Sequence, residues 1–135
     1  PKKWKFISLE NVTEKYLIKS LAESKFFLSF SNFEGLGMPP IEAAISGNKV
    51  IGYSGGGGLE YWEKPIFTKV ETGDIRDFGQ KLLYEIKNYN QNWIKKSKKG
   101  RIKLIKKYSD ASENKSLIKL TNKIKNIILK NKNLL

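Results

Sequence analysis

Lys25-Phe26-Phe27-Leu28-Ser29-Phe30-Ser31-Asn32-Phe33-Glu34-Gly35-Leu36-Gly37-Met38-Pro39-Pro40-Ile41-Glu42-Ala43-Ala44-Ile45-Ser46-Gly47 decides how the chain is read. Residues 25–30 are nearly all apolar, and a short unbroken run of that kind suits a strand of a parallel sheet, buried on both faces. Two glycines then break regular structure. Two prolines follow at a place where a helix begins, because the first turn of a helix has no use for their missing N–H groups. Ile41 to Ser46 continues that helix, and Gly47 is placed to end it.

The same alternation extends in both directions. Upstream, residues 5–9 read as a strand, and Thr13 is an N-cap with Glu14 in the first turn of a helix. Leu17, Ile18, Leu21 and Ala22 supply its helical spacing. Downstream, residues 49–53 read as a strand and residues 54–58 as a glycine loop. A short helical turn is expected over 59–62 and a strand over 66–70. Gly73 and Asp74 start a helix through Phe78, Leu82, Leu83 and Ile86. Strands alternating with helices predict an α/β domain with a parallel sheet flanked by helices. Ligands of such sheets sit at the carboxyl ends of the strands. Both glycine loops follow strands, so both are expected on that edge.

The chain has 135 residues and a net charge of +13. The excess is local: residues 1–90 hold 12 basic and 11 acidic side chains, and residues 91–135 hold 14 and 2. This splits the chain into a domain at 1–90 and a basic helical extension at 91–135. Leu117, Leu120, Ile124, Ile127 and Ile128 share one face of the extension, with lysines and asparagines opposite. Three partners fit it: a further domain, an anionic membrane surface met by residues 93–135, or nucleic acid. The last is disfavoured, because only Trp93 and Tyr108 interleave with the basic cluster and no nucleic-acid motif is present. Cysteine and histidine are both absent. A disulfide framework and a thiolate metal site are thereby excluded, and the expected setting is reducing and cytoplasmic, peripheral on the inner membrane face if the extension binds lipid. Catalysis would have to run on carboxylates, backbone dipoles or lysines. No apolar run reaches the length of a membrane span, and the first residues do not form a signal peptide. The chain begins at Pro1 without a methionine, so further natural sequence upstream is expected.

Glu34 and Glu42 flank the glycine turn. The turn can aim the amides of Gly35, Leu36, Gly37 and Met38 at a phosphate, and the following helix adds its positive end. Glu34 at the mouth of the loop can accept from sugar hydroxyls. Glu42, one turn into the helix, can bind a vicinal diol such as ribose. Two glutamates at this spacing also suit a plain strand-to-helix turn. Gly55, Gly56, Gly57 and Gly58 are either a connector or a loop lining a cleft, with Glu60 capping the next turn or facing that cleft. Tyr61 and Trp62 read as packing residues, and Ser31 as a local backbone partner.

The ordered string from Phe26 through Glu34-Gly35-Leu36-Gly37-Met38-Pro39-Pro40-Ile41-Glu42-Ala43-Ala44 to Gly55, Gly58, Glu60 and Tyr61 resembles the C-terminal domain of GT-B-fold retaining glycosyltransferases that carry the E-x7-E motif. The likeness runs from about Trp4 to about Phe78. It implies a Rossmann-like domain binding a nucleotide-diphosphate sugar, with no metal and no cofactor required, in glycan or polysaccharide biosynthesis. It implies that Glu34 acts at the donor sugar's anomeric carbon, that residues 35–38 hold the diphosphate and sugar, and that Glu42 holds the ribose. Ser8 and Leu9 would end a strand near the nucleobase. The family's N-terminal acceptor domain is not in this chain. Nor is the first part of the C-terminal domain, with its basic residues for the diphosphate. The chain alone is expected to bind donor weakly and transfer nothing. A non-catalytic sugar-nucleotide-binding module, or a basic membrane- or nucleic-acid-binding protein on the same fold, would also fit.

Overall fold

A computed structural model describes residues 4–90 and 92–132, with side chains of the last helix described through Lys123. The elements run α1 (Glu14–Glu23), β1 (Phe26–Ser29), α2 (Met38–Ile45), β2 (Lys49–Gly52), a 3-10 turn (Gly57–Glu60), β3 (Phe67–Lys69), α3 (Ile75–Asn88), α4 (Trp93–Lys107) and α5 (Asp110–Lys132). The three strands form one parallel sheet in the order β1-β2-β3. Phe27 pairs with Val50 and Val50 with Phe67, so β2 is central. The expected α/β architecture with a small parallel sheet flanked by helices is what the chain adopts.

Local signals set the helix ends. Thr13 accepts from the Tyr16 amide, and Asp74 accepts from the Asp77 amide at 2.8 Å. Each cap satisfies an amide that the helix itself leaves open. Met38, Pro39 and Pro40 form the first turn of α2, and Gly47, at φ 102°, follows its C-cap Ser46.

Burial then fixes the layers. Val50 and Ile51 in β2 are wholly buried and, as neighbours in a strand, point to opposite faces. Ile51 packs with Tyr53, Val70 and Phe78, and Phe26, Leu28 and Leu82 close around them. Helix α2 packs on β1 and β2 through its buried Ile41, Ala43 and Ala44 side. Buried polar groups find partners across long stretches of chain. Asn48 donates to the Leu21 carbonyl at 2.7 Å, tying the end of α1 to the start of β2. Glu85 of α3 pairs with Lys49 and accepts from Thr68 at 2.7 Å.

Two expectations fail here. Residues 4–9 form no strand. Trp4 sets its ring edge-on to Phe26 at 5.4 Å, but Phe6 is 71% exposed and Ile7 is exposed too. Without a buried face, this apolar run has nothing to pack against, so it does not hold a ladder. Ser8 and Leu9 therefore end no strand. The second failure is β1, which is half-buried rather than covered on both sides, because it lies at the edge of the described sheet. Phe30, just beyond it, is exposed and stacks on Phe78 at 4.7 Å.

The chain divides into two compact units, residues 1–102 and residues 103–135. The first unit runs past the change in composition at residue 91. The Trp93 indole donates to the Gly47 carbonyl at 3.1 Å, and Ser97 is fully buried. In the second unit, Ser109 precedes α5 and accepts from the Ser112 amide. Leu117, Ile118 and Leu120 of α5 are exposed among lysines. The side chains of Ile124, Ile127 and Ile128, assigned by spacing to the same face, lie outside the described ones. Among the described residues, no helix is long and apolar enough to cross a membrane.

Candidate functional site

Beyond the carboxyl ends of β1 and β2 the two glycine loops run side by side. The Tyr53 amide donates to the Ser29 carbonyl at 2.9 Å, and the Ser29 hydroxyl donates to the Tyr53 carbonyl at 2.9 Å. This pins the two strand ends together. Further along both loops, the Glu34 amide donates to the Gly55 carbonyl at 2.8 Å, and the Gly57 amide donates to the Glu34 carbonyl at 3.2 Å. Glu34 and Gly56 thus form a parallel bridge that continues the β1–β2 pairing past the sheet.

Only glycine permits this approach. Gly55 and Gly56 have φ of 65° and 80°, in the left-handed region. A Cβ on Gly57 would lie 1.7 Å from the Gly35 carbonyl oxygen, inside any allowed contact. Gly37, at φ 69°, is the N-cap of α2 and offers no side chain to cap it. The amides of Gly35, Leu36 and Gly37 donate to no protein group among the described residues. Open amides at the positive end of a helix have the chemistry to receive an anion.

Glu34 is half-buried and leans back over this turn. One of its carboxylate oxygens lies 2.9 Å from the point a Cβ on Gly37 would occupy. Glu42 projects from the exposed side of α2, one turn further on. Neither carboxylate pairs with a cation among the described residues. Both therefore keep their acceptor capacity for hydroxyl or amide donors. Leu36 and Met38 are exposed beside the turn, as is Leu59 on the facing loop, and Phe33 is 92% exposed. Gly58 is buried under Tyr61 and Trp62, and Glu60 is exposed.

Tyr61 does more than pack. Its ring is buried against Phe67 at 5.3 Å, and its hydroxyl donates to the Gly37 carbonyl at 2.7 Å. It thereby holds the α2 N-cap to the second loop. Nothing in the sequence marks this contact, which joins residues 24 apart through a side chain read as filler. Removing the hydroxyl deletes one hydrogen bond to a part-buried carbonyl, at about 1 kcal/mol. Tyr61→Phe is expected to lower Tm by about 4 °C, with the fold kept, as thermal unfolding followed by circular dichroism would read. An unchanged Tm would remove Tyr61 from the site's scaffold.

Comparison with known proteins adds one relation. No family model matches the chain, and no solved structure matches it. Over 87 residues, 62% of this chain, it is 29% identical to an alpha-1,6-glucosyltransferase of Actinobacillus pleuropneumoniae serotype 7 (strain AP76). The chain covers 26% of that protein's length. The sequence is thus related to a glycosyltransferase over a segment the size of one domain.

Proposed function

We propose that this chain is the donor-binding part of a nucleotide-sugar-dependent glycosyltransferase of the GT-B, E-x7-E, retaining type. The observation that carries the reading is the pair of glycine loops, hydrogen-bonded to each other where β1 and β2 end. They present the open amides of Gly35, Leu36 and Gly37 between Glu34 and Glu42. The relation to a glucosyltransferase supports glycosyl transfer in general. The small parallel sheet is compatible with a Rossmann-like domain.

In this reading residues 35–38 hold the donor diphosphate through backbone amides, and Glu42 accepts from the two ribose hydroxyls. Glu34 accepts from donor-sugar hydroxyls and offsets positive charge growing at the anomeric carbon. The bond from that carbon to the diphosphate oxygen breaks, and a bond to the acceptor oxygen forms on the same face. The acceptor's proton passes to the departing phosphate oxygen. Amides fixed around the leaving diphosphate lower the barrier because they need no reorganisation as charge develops. The resemblance assigns no metal to this step. A second domain would supply the acceptor side. The lysines of α5, with Leu117, Ile118 and Leu120 exposed among them, suit an anionic membrane surface beside the site of glycan synthesis.

The test is ligand-observed NMR with UDP, GDP, ADP and their sugar conjugates, on the chain and on Glu42→Ala. One nucleotide is expected to bind, and the variant to bind it at least about tenfold more weakly, since hydrogen bonds to a charged acceptor contribute roughly 1.5–3 kcal/mol. Equal binding by both proteins would refute the role given to Glu42.

A further inference from the structure

At the other end of β2 the first unit holds a second concavity. From Lys49 to Gly52 the strand advances roughly 10 Å, so the two lie on opposite edges of the sheet. This cleft has a volume of about 310 Å³. Its floor is Thr68 with the Lys49–Glu85 pair, and its walls include Lys64, Tyr84, Asn88 and Lys96.

The charges in it do not cancel. Both carboxylate oxygens of Glu85 are engaged, one by Lys49 and one by Thr68. The Lys49 ammonium also lies 5.2 Å from the centre of the Trp93 ring. That leaves Lys64 and Lys96, which pair with no carboxylate among the described residues, facing the same space. Burial raises the Tyr89 phenol above its ordinary value, so this lining residue supplies no compensating negative charge near neutrality. The remaining polar atoms include an uncommitted amide group. Asn90 uses its side-chain oxygen for the Asn92 amide, and its NH₂ has no partner among the described residues. The exposed ring of Tyr84 forms an apolar wall.

We propose that this cleft is a binding site for a phosphate monoester. Two uncompensated ammonium groups match a group that carries about −1.5 to −2 charge near neutral pH, and the Asn90 NH₂ adds a neutral donor to its oxygens. A volume at the small end of the ligand-pocket range admits one phosphate with a short organic part lying on Tyr84, and not a dinucleotide. The site is independent of the glycine loops, so the ligand need not be the sugar donor. A soluble phosphate ester and a phosphate-bearing lipid headgroup share this chemistry.

The test is a titration with glycerol 1-phosphate, read in ¹H–¹⁵N spectra of the full chain. Saturable shifts are expected at the Trp93 indole N–H, the Asn90 side-chain amide and the Thr68 amide. The double variant Lys64→Ala/Lys96→Ala should weaken them by at least about tenfold. Both lysines are exposed, so well-dispersed spectra of the variant will show that it folds. Glu42→Ala should leave the titration unchanged, which separates this site from the donor reading. Vesicles of phosphatidic acid that displace the soluble ester would identify a headgroup as the ligand. Vesicles that do not would identify a soluble ester, and either result upholds the cleft. Shifts that fail to saturate, that spread evenly over the lysines of α4 and α5, or that survive in the double variant would overturn the proposal.

Discussion

Gly52→Ala is expected to cost about 4 kcal/mol, a large share of the roughly 5–15 kcal/mol that holds a small domain folded. Two separate costs add at this position. Gly52 has φ of 139°, a conformation that residues with a Cβ rarely adopt and that costs roughly 1–3 kcal/mol. The added Cβ would also lie 2.0 Å from the Ser29 carbonyl oxygen. Neither group is a flexible side chain that can turn away. Gly52 pairs with Ser29 on one side and Lys69 on the other, so relief requires the central strand to part from a neighbour. A urea titration followed by circular dichroism measures this directly. Gly79→Ala is the control: it lies within α3, has open space around it, and should gain roughly 0.5–1 kcal/mol. A Gly52→Ala midpoint equal to that of the natural chain would mean that β1 and β2 do not pair as described.

Gly57→Ala should act on the site more than on the fold. Its Cβ would meet the Gly35 carbonyl oxygen at 1.7 Å and the Glu34 carbonyl oxygen at 2.7 Å. The two loops must separate to admit it, breaking the bond between the Gly57 amide and the Glu34 carbonyl. The sheet below keeps its register, so the loss of stability stays near roughly 2 kcal/mol. The open amides of the first loop lose their fixed direction, and nucleotide binding should fall by more than about tenfold, because directed donors are what the site supplies. Gly56→Ala makes the comparison sharp. A Cβ there meets nothing, and only φ of 80° opposes it, so roughly 1–2 kcal/mol of strain is expected with little change in binding. If Gly57→Ala bound nucleotide as well as the natural chain, the pairing of the loops would be irrelevant to the ligand.

Features encoded by neighbours in sequence were readable from it. The Thr13 and Asp74 caps, the prolines opening α2 and the glycine after it each act within a few residues, and each stands where expected. The nearly apolar run at 25–30 gave a strand for the same reason. Features that depend on distant partners were not readable. The short, mixed apolar run at 5–9 reads as a strand, yet no described element covers it. Tyr61 reaches Gly37, Lys49 reaches Glu85 and Trp93 reaches Gly47 only through the finished fold. Composition marked a boundary near residue 91 because lysines accumulate there. The Trp93 contact shows why charge content and packing part company: Trp93 and Ser97 hold the helix to the first unit while the lysines around them stay exposed. At the candidate site the glycine spacing announced the turn between β1 and α2. The second loop's hydrogen bonds to it follow from the parallel register of β1 and β2, which the sequence only implied.

The claim that both loops form one nucleotide-diphosphate site is tested most directly by mapping backbone amide shifts during titration with the nucleoside diphosphate that binds. The amides of Gly35, Leu36, Gly37 and Met38 are expected to shift together with those of Gly55, Gly56 and Gly57, along one saturation curve. Shifts confined to the lysine-rich residues beyond Trp93, with the two glycine loops silent, would contradict it.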